Sequence, residues 1–288
     1  MRKVPEGWLN GLIGVVIFSG SMPATRVAVM DLDPVFVTVA RAAIAGALAL
    51  GMLAWFRAKR PSRADLMSLA IVAGGVVLGF PLLSALALRH VTSAHAMVFV
   101  GLLPLSTAIF AVLRGGERPQ PLFWLFSGLG SACVAGFAYA RGLSASPLGD
   151  GLMLAAVVVC GFGYAEGARL SRTLGGWQVI SWALVIALPL MLPATVILLP
   201  SAGQPTLPAL MGLAYVSVFS MLIGFIFWYR GLAEGGTAAV GQLQLLQPFF
   251  GLALAALLLH ETVSASMVLV TVAVIACVAG AKAFAHRR

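Results

Sequence analysis

PLSTAIFAVLRGGE, residues 104–117, returns 144 positions later as PFFGLALAALLLHE, residues 248–261. Each copy opens on a proline, runs through an apolar stretch and closes on a glutamate, Glu117 after Pro104 and Glu261 after Pro248. Leucine and alanine matches mean little in a chain that is 61% hydrophobic, but a proline and a glutamate at equal spacing do not recur by composition alone. At the same offset Leu88 falls on Leu232, Ala94 on Ala238, Leu102 on Leu246, Ala111 on Ala255, Leu113 on Leu257 and Gly136 on Gly280. The 288 residues therefore read as two copies of one unit, 1–145 and 146–288.

Only 9% of the residues are charged and the mean hydropathy is +1.03. A water-soluble domain of this length covers itself with far more charge, about 25%. Working outward from the two copies, apolar runs of helix-spanning length recur between short breaks. A helix of about 20 apolar residues crosses the roughly 30 Å hydrocarbon layer and bonds its own backbone polar groups internally. Barrel strands would show short alternating segments instead, and none is present. The expectation is an all-α integral membrane protein with ten transmembrane helices over 8–29, 34–56, 66–88, 93–113, 121–140, 151–170, 177–199, 207–229, 238–259 and 264–284. The breaks carry turn chemistry, such as Asp31-Leu32-Asp33-Pro34, Arg60-Pro61-Ser62, Arg114-Gly115-Gly116-Glu117 and Gly175-Gly176. The first run follows Arg2 and Lys3 as a signal peptide would, yet it continues through Val27 without a cleavage site and is read as a helix.

Five helices per half is an odd number, so the second half enters the membrane upside down relative to the first. Inverted five-helix repeats give a carrier two pseudo-symmetric states, each opening a central site to one side. The basic residues supply a direction. With a cytoplasmic N-terminus, that side collects Arg2, Lys3, Arg57, Lys59, Arg60, Arg63, Arg114, Arg118, Arg169, Arg172, Arg230, Lys282, Arg287 and Arg288. The other side collects only Arg26, Arg89 and Arg141, and Arg41 stays inside a span. This bias predicts both termini in the cytoplasm of a multi-pass inner-membrane protein. The net charge of +9, which in a soluble protein would suggest nucleic acid, sits in loops and is read as orientation, with no nucleic-acid partner.

Three stretches resemble the drug/metabolite transporter superfamily, in its ten-helix form built from EamA-like repeats. They are Phe18-Ser19-Gly20-Ser21 in the first helix, Asp33-Pro34 followed by Arg41 in the second, and Trp228-Tyr229-Arg230-Gly231-Leu232 running on to Gln247-Pro248 and His260-Glu261. Two positions depart from the usual pattern, Phe18 where tryptophan is common and Gln247 where glutamate is frequent. The resemblance implies an alternating-access secondary transporter that exports amino acids, other metabolites or drugs. Length and topology are similar to those of the family's aromatic amino-acid exporters.

Polar groups inside a span are costly and each needs an account. Arg41 is a candidate carboxylate-binding group through its planar fork. It lies near a helix end, which favours the alternative of a guanidinium bonded to carbonyls or snorkelling to the interface. Gln242, Gln244 and Gln247 crowd the ninth helix. On α-helical spacing Gln244 and Gln247 share a face and Gln242 lies nearly opposite. Amides suit a zwitterionic solute and serve equally as interhelical bonds. Pro23 interrupts a helix as Pro81, Pro104 and Pro248 do, a feature of both carrier sites and packing kinks. Ser19, Ser21 and Ser84 read first as packing residues and second as ligand contacts. His95 reads as an interfacial residue or a proton-coupling group. Phe80, Phe99, Tyr164, Trp182, Tyr215 and Trp228 are candidate walls of an aromatic cavity.

Glu166 is expected to pair with Arg169 or Arg172, which leaves no mid-membrane carboxylate to attract a cation. That favours small amphipathic metabolites, amino acids first, over the alternative of cationic drugs. A membrane-embedded enzyme would need converging catalytic groups, such as HExxH or paired acids, and the spans contain none. A channel would need a ring of like groups, usually from several subunits, and saturation kinetics with counterflow would argue against it. No GxxxxGK[ST] motif points to ATP. Cys133, Cys160 and Cys277 lack metal-ligand spacing, so neither a metal nor another cofactor is expected. The expected partners are a small-molecule solute and the lipid bilayer, around a monomer or weak homodimer.

Overall fold

The computed structural model describes residues 3–87, 89–91, 96, 99–140, 146–200, 205–251, 253 and 265–285, and all regular structure among them is helical. Each of the ten expected runs contains helix. In chain order these are α1 (Lys3–Ser19), α2 (Ser21–Val29), α3 (Pro34–Trp55), α4 (Arg63–Val72), α5 (Phe80–Ala87), α6 (Leu103–Gly115), α7 (Pro121–Tyr139), α8 (Pro147–Leu174), α9 (Gly176–Ile197), α10 (Leu207–Tyr215), α11 (Gly224–Gly235), α12 (Thr237–Gly241) and α13 (Ala265–Phe284). Six continuous stretches are long and apolar enough to cross a bilayer: Glu6–Val29, Pro34–Trp55, Arg63–Ala87, Pro147–Leu174, Gly176–Ile197 and Leu207–Gly235. Shorter apolar helices accompany them. Leu122, Leu125, Leu129, Leu190, Leu192 and Val196 stand exposed on these helices, as side chains facing lipid do.

The helix starts follow from local chemistry. Asp33 caps α3, accepting from the Val35 and Phe36 backbone N–H groups at 2.8 and 3.2 Å, while Pro34 occupies a first-turn position that has no N–H to satisfy. Ser62 and Asp65 form a reciprocal capping box at α4. Ser146 and Thr206 cap α8 and α10, each followed within two residues by a proline. The turn between α11 and α12 needs a left-handed residue, Gly236 at φ 91°.

Several runs expected as single helices are broken. The first splits at Gly20, because Pro23 offers no N–H to the Ser19 carbonyl and the Gly20 N–H reaches back only to Ile17. The third passes through a π segment, Ala73–Gly79, ahead of Pro81, which cannot donate to Val77. The eighth carries a second π segment, Val216–Ile223, with no proline to explain it. The offset of 144 maps 73–79 onto 217–223, inside that second segment. The ninth run begins as α12 and then tightens to a 3-10 turn, Gln242–Leu246, before α-helix resumes at Gln247. The matching position of the fourth run is also irregular, with a turn at Gly101 and Leu102 ahead of α6.

Packing sorts the helices into pairs. The α1–α2 rod runs antiparallel to α10–α11: Gly7 meets Gly235, Gly11 meets Gly231, Gly20 meets Tyr215 and Gly212 meets Ala24. Along α4–α5, Gly75 and Gly79 lie against Val159 of α8, and Ser68 bonds Glu166, again antiparallel. Helix α3 pairs with α9, and α7 with α13. Helices α6 and α8 run parallel, Ser106 meeting Val157 and Arg114 meeting Glu166. The antiparallel pairings keep their pattern when each half's helices are exchanged for those of the other: first–eighth becomes sixth–third, and second–seventh and fifth–tenth map onto themselves. Small residues let the backbones approach closely where lipid supplies no hydrophobic drive between helices. The loops gather at two ends. One, the basic end, holds the start of α1, Phe56 against Trp177, and Gln120 bonded to Phe284; the opposite end holds Asp31 bonded to Thr206 and Asp33 bonded to Arg89.

Candidate functional site

Between the two halves lies a cavity lined by residues from both of them. Ser21 and Thr25 of α2 border it, as do Pro34, Thr38 and Arg41 of α3, and Phe80 and Ser84 of α5. Cys160 and Tyr164 of α8, Ser220 and Met221 of the second π segment, Phe225 of α11, Gln244 and Gln247 complete the polar and aromatic wall, with Phe18 from α1. Both π segments reach it, Val76 from one and Ser220 from the other. π-Bulges rotate side chains out of α register and occur often at functional sites.

The lining contains no carboxylate among the described residues, and Arg41 is its one cation. Arg41 is 9% exposed and so does not snorkel. Its Nη2 donates to Ser220 Oγ at 3.2 Å, its Nε has no partner, and no described acid pairs with it. Its described bond runs to a hydroxyl of another helix rather than to helix-end carbonyls. Ser21 donates to the same Ser220 oxygen at 2.7 Å, tying α2, α3 and the second π segment together at one hydroxyl.

Deeper in, Gln244 Nε2 donates to the Tyr164 hydroxyl at 3.3 Å while its Oε1 has no partner. Gln247 Nε2 donates to the Phe18 carbonyl at 3.4 Å. The two glutamines share the cavity face because residues three apart eclipse on a 3-10 turn. Below them is an aromatic floor: Phe18 to Phe225 at 4.8 Å, Tyr164 to Trp228 at 5.6 Å and Tyr164 to Phe225 at 5.9 Å between ring centroids.

Beyond that floor the basic end is closed by ion pairs. Glu166, fully buried, accepts from Ser68 at 2.7 Å, from Arg114 at 3.1 Å and from Arg169. Glu117 accepts from the Thr237 and Ala238 backbone N–H groups at 2.8 and 2.9 Å and from Arg172 at 2.9 Å. A carboxylate at a helix N-terminus meets unpaired N–H groups and the positive end of the dipole. At the opposite end the described contacts are the half-exposed Asp33–Arg89 pair and the bonds of Asp31 to Thr206, and Thr25, Pro34 and Ser84 carry the cavity wall toward it.

Of the residues singled out in the sequence, Ser21, Arg41, Phe80, Ser84, Tyr164, Gln244 and Gln247 border the cavity. Others are near it but turned away. Trp228 is wholly buried in the floor, Gln242 donates to the Ala238 carbonyl at 3.5 Å, and Ser19 bonds back to Val15 within its own helix. Tyr215 bonds the Ile17 carbonyl at 2.8 Å, and Phe99 and Trp182 pack against the core without reaching the cavity. Pro23 faces outward and acts through the break at Gly20. His95 and Glu261 lie outside the described residues. Glu166 pairs with Arg169, as its position predicts, but its second arginine is Arg114 rather than Arg172. The reading of the sequence passed over Ser220, Phe225 and the capping role of Glu117. A hydroxyl inside an apolar span was the available signal for Ser220.

The EamA-like transporter family matches this chain twice, at residues 6–139 and 147–281. An uncharacterized transporter of Bacillus subtilis (strain 168), YdeK, is 66% identical over 286 residues, covering 99% of this chain and all of its own length. An uncharacterized transporter of Archaeoglobus fulgidus is 22% identical over 247 residues, 82% of this chain and 83% of that one. A solved crystal structure described only as that of a protein aligns with a TM-score of 0.80 at 19% identity over 97% of both chains, a likeness of fold.

Proposed function

We propose that this chain, which belongs to the EamA-like transporter family, exports small amphipathic metabolites, amino acids first among them, by opening its central cavity to one membrane face at a time. Membership makes it a transporter and not an enzyme. The observation that carries the solute class is the cavity itself: one buried cation, neutral amides and hydroxyls, and aromatic walls, with no carboxylate in the described lining. An exporter of cationic compounds would desolvate its cargo against a cation there, which Coulomb repulsion in a low-dielectric cavity opposes. The aromatic surface of Phe18, Phe80, Tyr164 and Phe225 suits an apolar or aromatic side chain on the solute.

Alternating access finds support in the exchange symmetry of the helix pairs and in the π segments 144 residues apart. In this reading residues 1–145 and 146–288 are inverted repeats, and the present state is closed at the basic end by Glu166 and Glu117. The charge bias puts that end, with both termini, in the cytoplasm of the inner membrane, so the cavity faces outward. A reporter fused to the C-terminus is expected to be active in its cytoplasmic form, and activity only in its periplasmic form overturns this orientation. In this reading the transporter works as a monomer or as a weak homodimer.

The decisive experiment is counterflow in proteoliposomes containing the purified full-length chain. A panel of labelled amino acids and cationic dyes is tested with and without a pH gradient. Saturable exchange of one or more amino acids is expected; movement of the dyes alone, or of nothing, defeats the proposal.

A further inference from the structure

We infer that the cavity selects its cargo by a carboxylate held between Arg41 and Ser220, and that the solute's amino group is dispensable. The substrate class is then amphipathic monocarboxylates, of which amino acids are one kind. The inference rests on reading the cavity as the solute site, and it goes further by assigning which part of the solute is recognised.

The argument starts from the cost of the arginine. Guanidinium is effectively always charged and carries five N–H donors in a planar fork. At Arg41 this group is 9% exposed, makes one described hydrogen bond, to a neutral hydroxyl, and leaves Nε without a partner. Such a cation in a low-dielectric interior is ordinarily paired with an anion or well hydrogen-bonded. Three other arginines at the basic end, though far more exposed than Arg41, each have an acid: Arg114 and Arg169 share Glu166, and Arg172 meets Glu117. Arg41 alone among these four borders the cavity, and it alone lacks an acid. An incoming carboxylate supplies the missing anion and matches the fork with two parallel hydrogen bonds.

Ser220 completes the anchor. Its oxygen already accepts from both Ser21 and Arg41, so its own hydroxyl proton is left to point at a solute oxygen. It sits on a π segment, whose altered register carries it to the cavity. For an ammonium group the cavity offers only neutral acceptors, such as the unpartnered Oε1 of Gln244. These can accept an N–H but cannot neutralise its charge, so the amine adds little and costs desolvation.

The test uses four probes with one side chain: L-phenylalanine, 3-phenylpropionate, L-phenylalaninamide and phenethylamine. Binding to the purified full-length protein at pH 7 is read by thermal shift and by competition in counterflow. The two carboxylates are expected to bind within about fivefold of each other, and the amide and amine at least tenfold more weakly. R41Q and R41K should both weaken the carboxylates tenfold or more, and S220A two- to fivefold. Equal binding of acid and amide overturns the inference, as does R41Q retaining wild-type affinity, or binding of none of the four. If R41Q does not give a folded, monodisperse protein, R41K and the acid-to-amide ratio of the wild type decide. Carboxylates that bind through Arg41 but show no counterflow leave this inference standing and defeat the transport of amino acids instead.

Discussion

Glu166 shows how unevenly the two sides of one ion pair weigh. Its carboxylate is fully buried, while Arg114 and Arg169 are nearly half exposed at the basic end. Removing the glutamate frees two arginines to rehydrate, whereas removing both arginines strands a buried anion. E166Q should therefore cost about 1–2 kcal/mol, and the R114A/R169A double substitution about 3–5 kcal/mol. Thermal unfolding of the purified protein in detergent reads the difference; equal losses would mean that the carboxylate is solvated in place. Asp31, at the opposite end, is a milder case. The Thr206 hydroxyl first, and then the Thr206 backbone N–H, hold its carboxyl below the ordinary carboxylate range. A depressed acid contributes stability above its unfolded pKa and loses it as the pH falls through the folded value. The stability gap between wild type and D31N should stay constant from pH 8 to about 5 and close below about pH 4. A gap that persisted at about pH 2 would rule out the charge as its source.

At the scale of elements, glycine decides which helices touch. A Cβ on Gly231 would lie 2.8 Å from Gly11 Cα and 2.9 Å from the Gly7 carbonyl oxygen, both backbone atoms that cannot step aside. G231A should destabilise by about 1–3 kcal/mol, the usual cost of overpacking. Gly51, near the end of α3, has nothing within 4 Å of the same position. G51A should be neutral or raise stability by about 0.5–1 kcal/mol through helix propensity alone. Melting temperatures of the two variants, measured in one detergent, check the contrast. The same scale explains where the reading of the sequence went astray. Hydropathy marked all ten runs but could not see the breaks at Gly20, Ala73–Gly79, Val216–Ile223 and Gln242–Leu246. A π or 3-10 turn changes backbone register without changing composition. Of these breaks, three hold or adjoin a carbonyl that a proline four residues on cannot serve, Ser19 before Pro23, Val77 before Pro81 and Gln244 before Pro248.

For the whole molecule, the question is which end is shut. The Glu166 and Glu117 clusters bind α4, α6, α8 and α12 together at the basic end, while Thr25 lies on the cavity wall toward the other. Labelling a single cysteine at Thr25, in a chain whose Cys133, Cys160 and Cys277 are serine, reads the balance of states. An impermeant maleimide applied from the opposite face should label it readily. Adding E117A and E166Q together should lower that rate at least threefold, as the molecule shifts toward a state open at the basic end; an unchanged rate would mean that these clusters only stabilise the fold. Shifting a two-state balance tenfold takes only about 1.4 kcal/mol, less than one charged hydrogen bond supplies.

The amino-acid sequence by itself determined the membrane class, the ten helical runs, the family and the offset of 144. These depend on properties that survive projection onto one dimension: the length of apolar runs, the chemistry of turns, and the spacing of proline and glutamate. Only the tertiary structure decided which polar residues share a cavity. It placed Arg41 beside Ser220, across 179 residues of chain, and turned Gln242 and Trp228 away from the cavity. The reason is physical. Whether a buried arginine is balanced depends on which side chains lie a few ångströms from it, and helix pairing and a shift of backbone register set that, not the residues next to it in the chain.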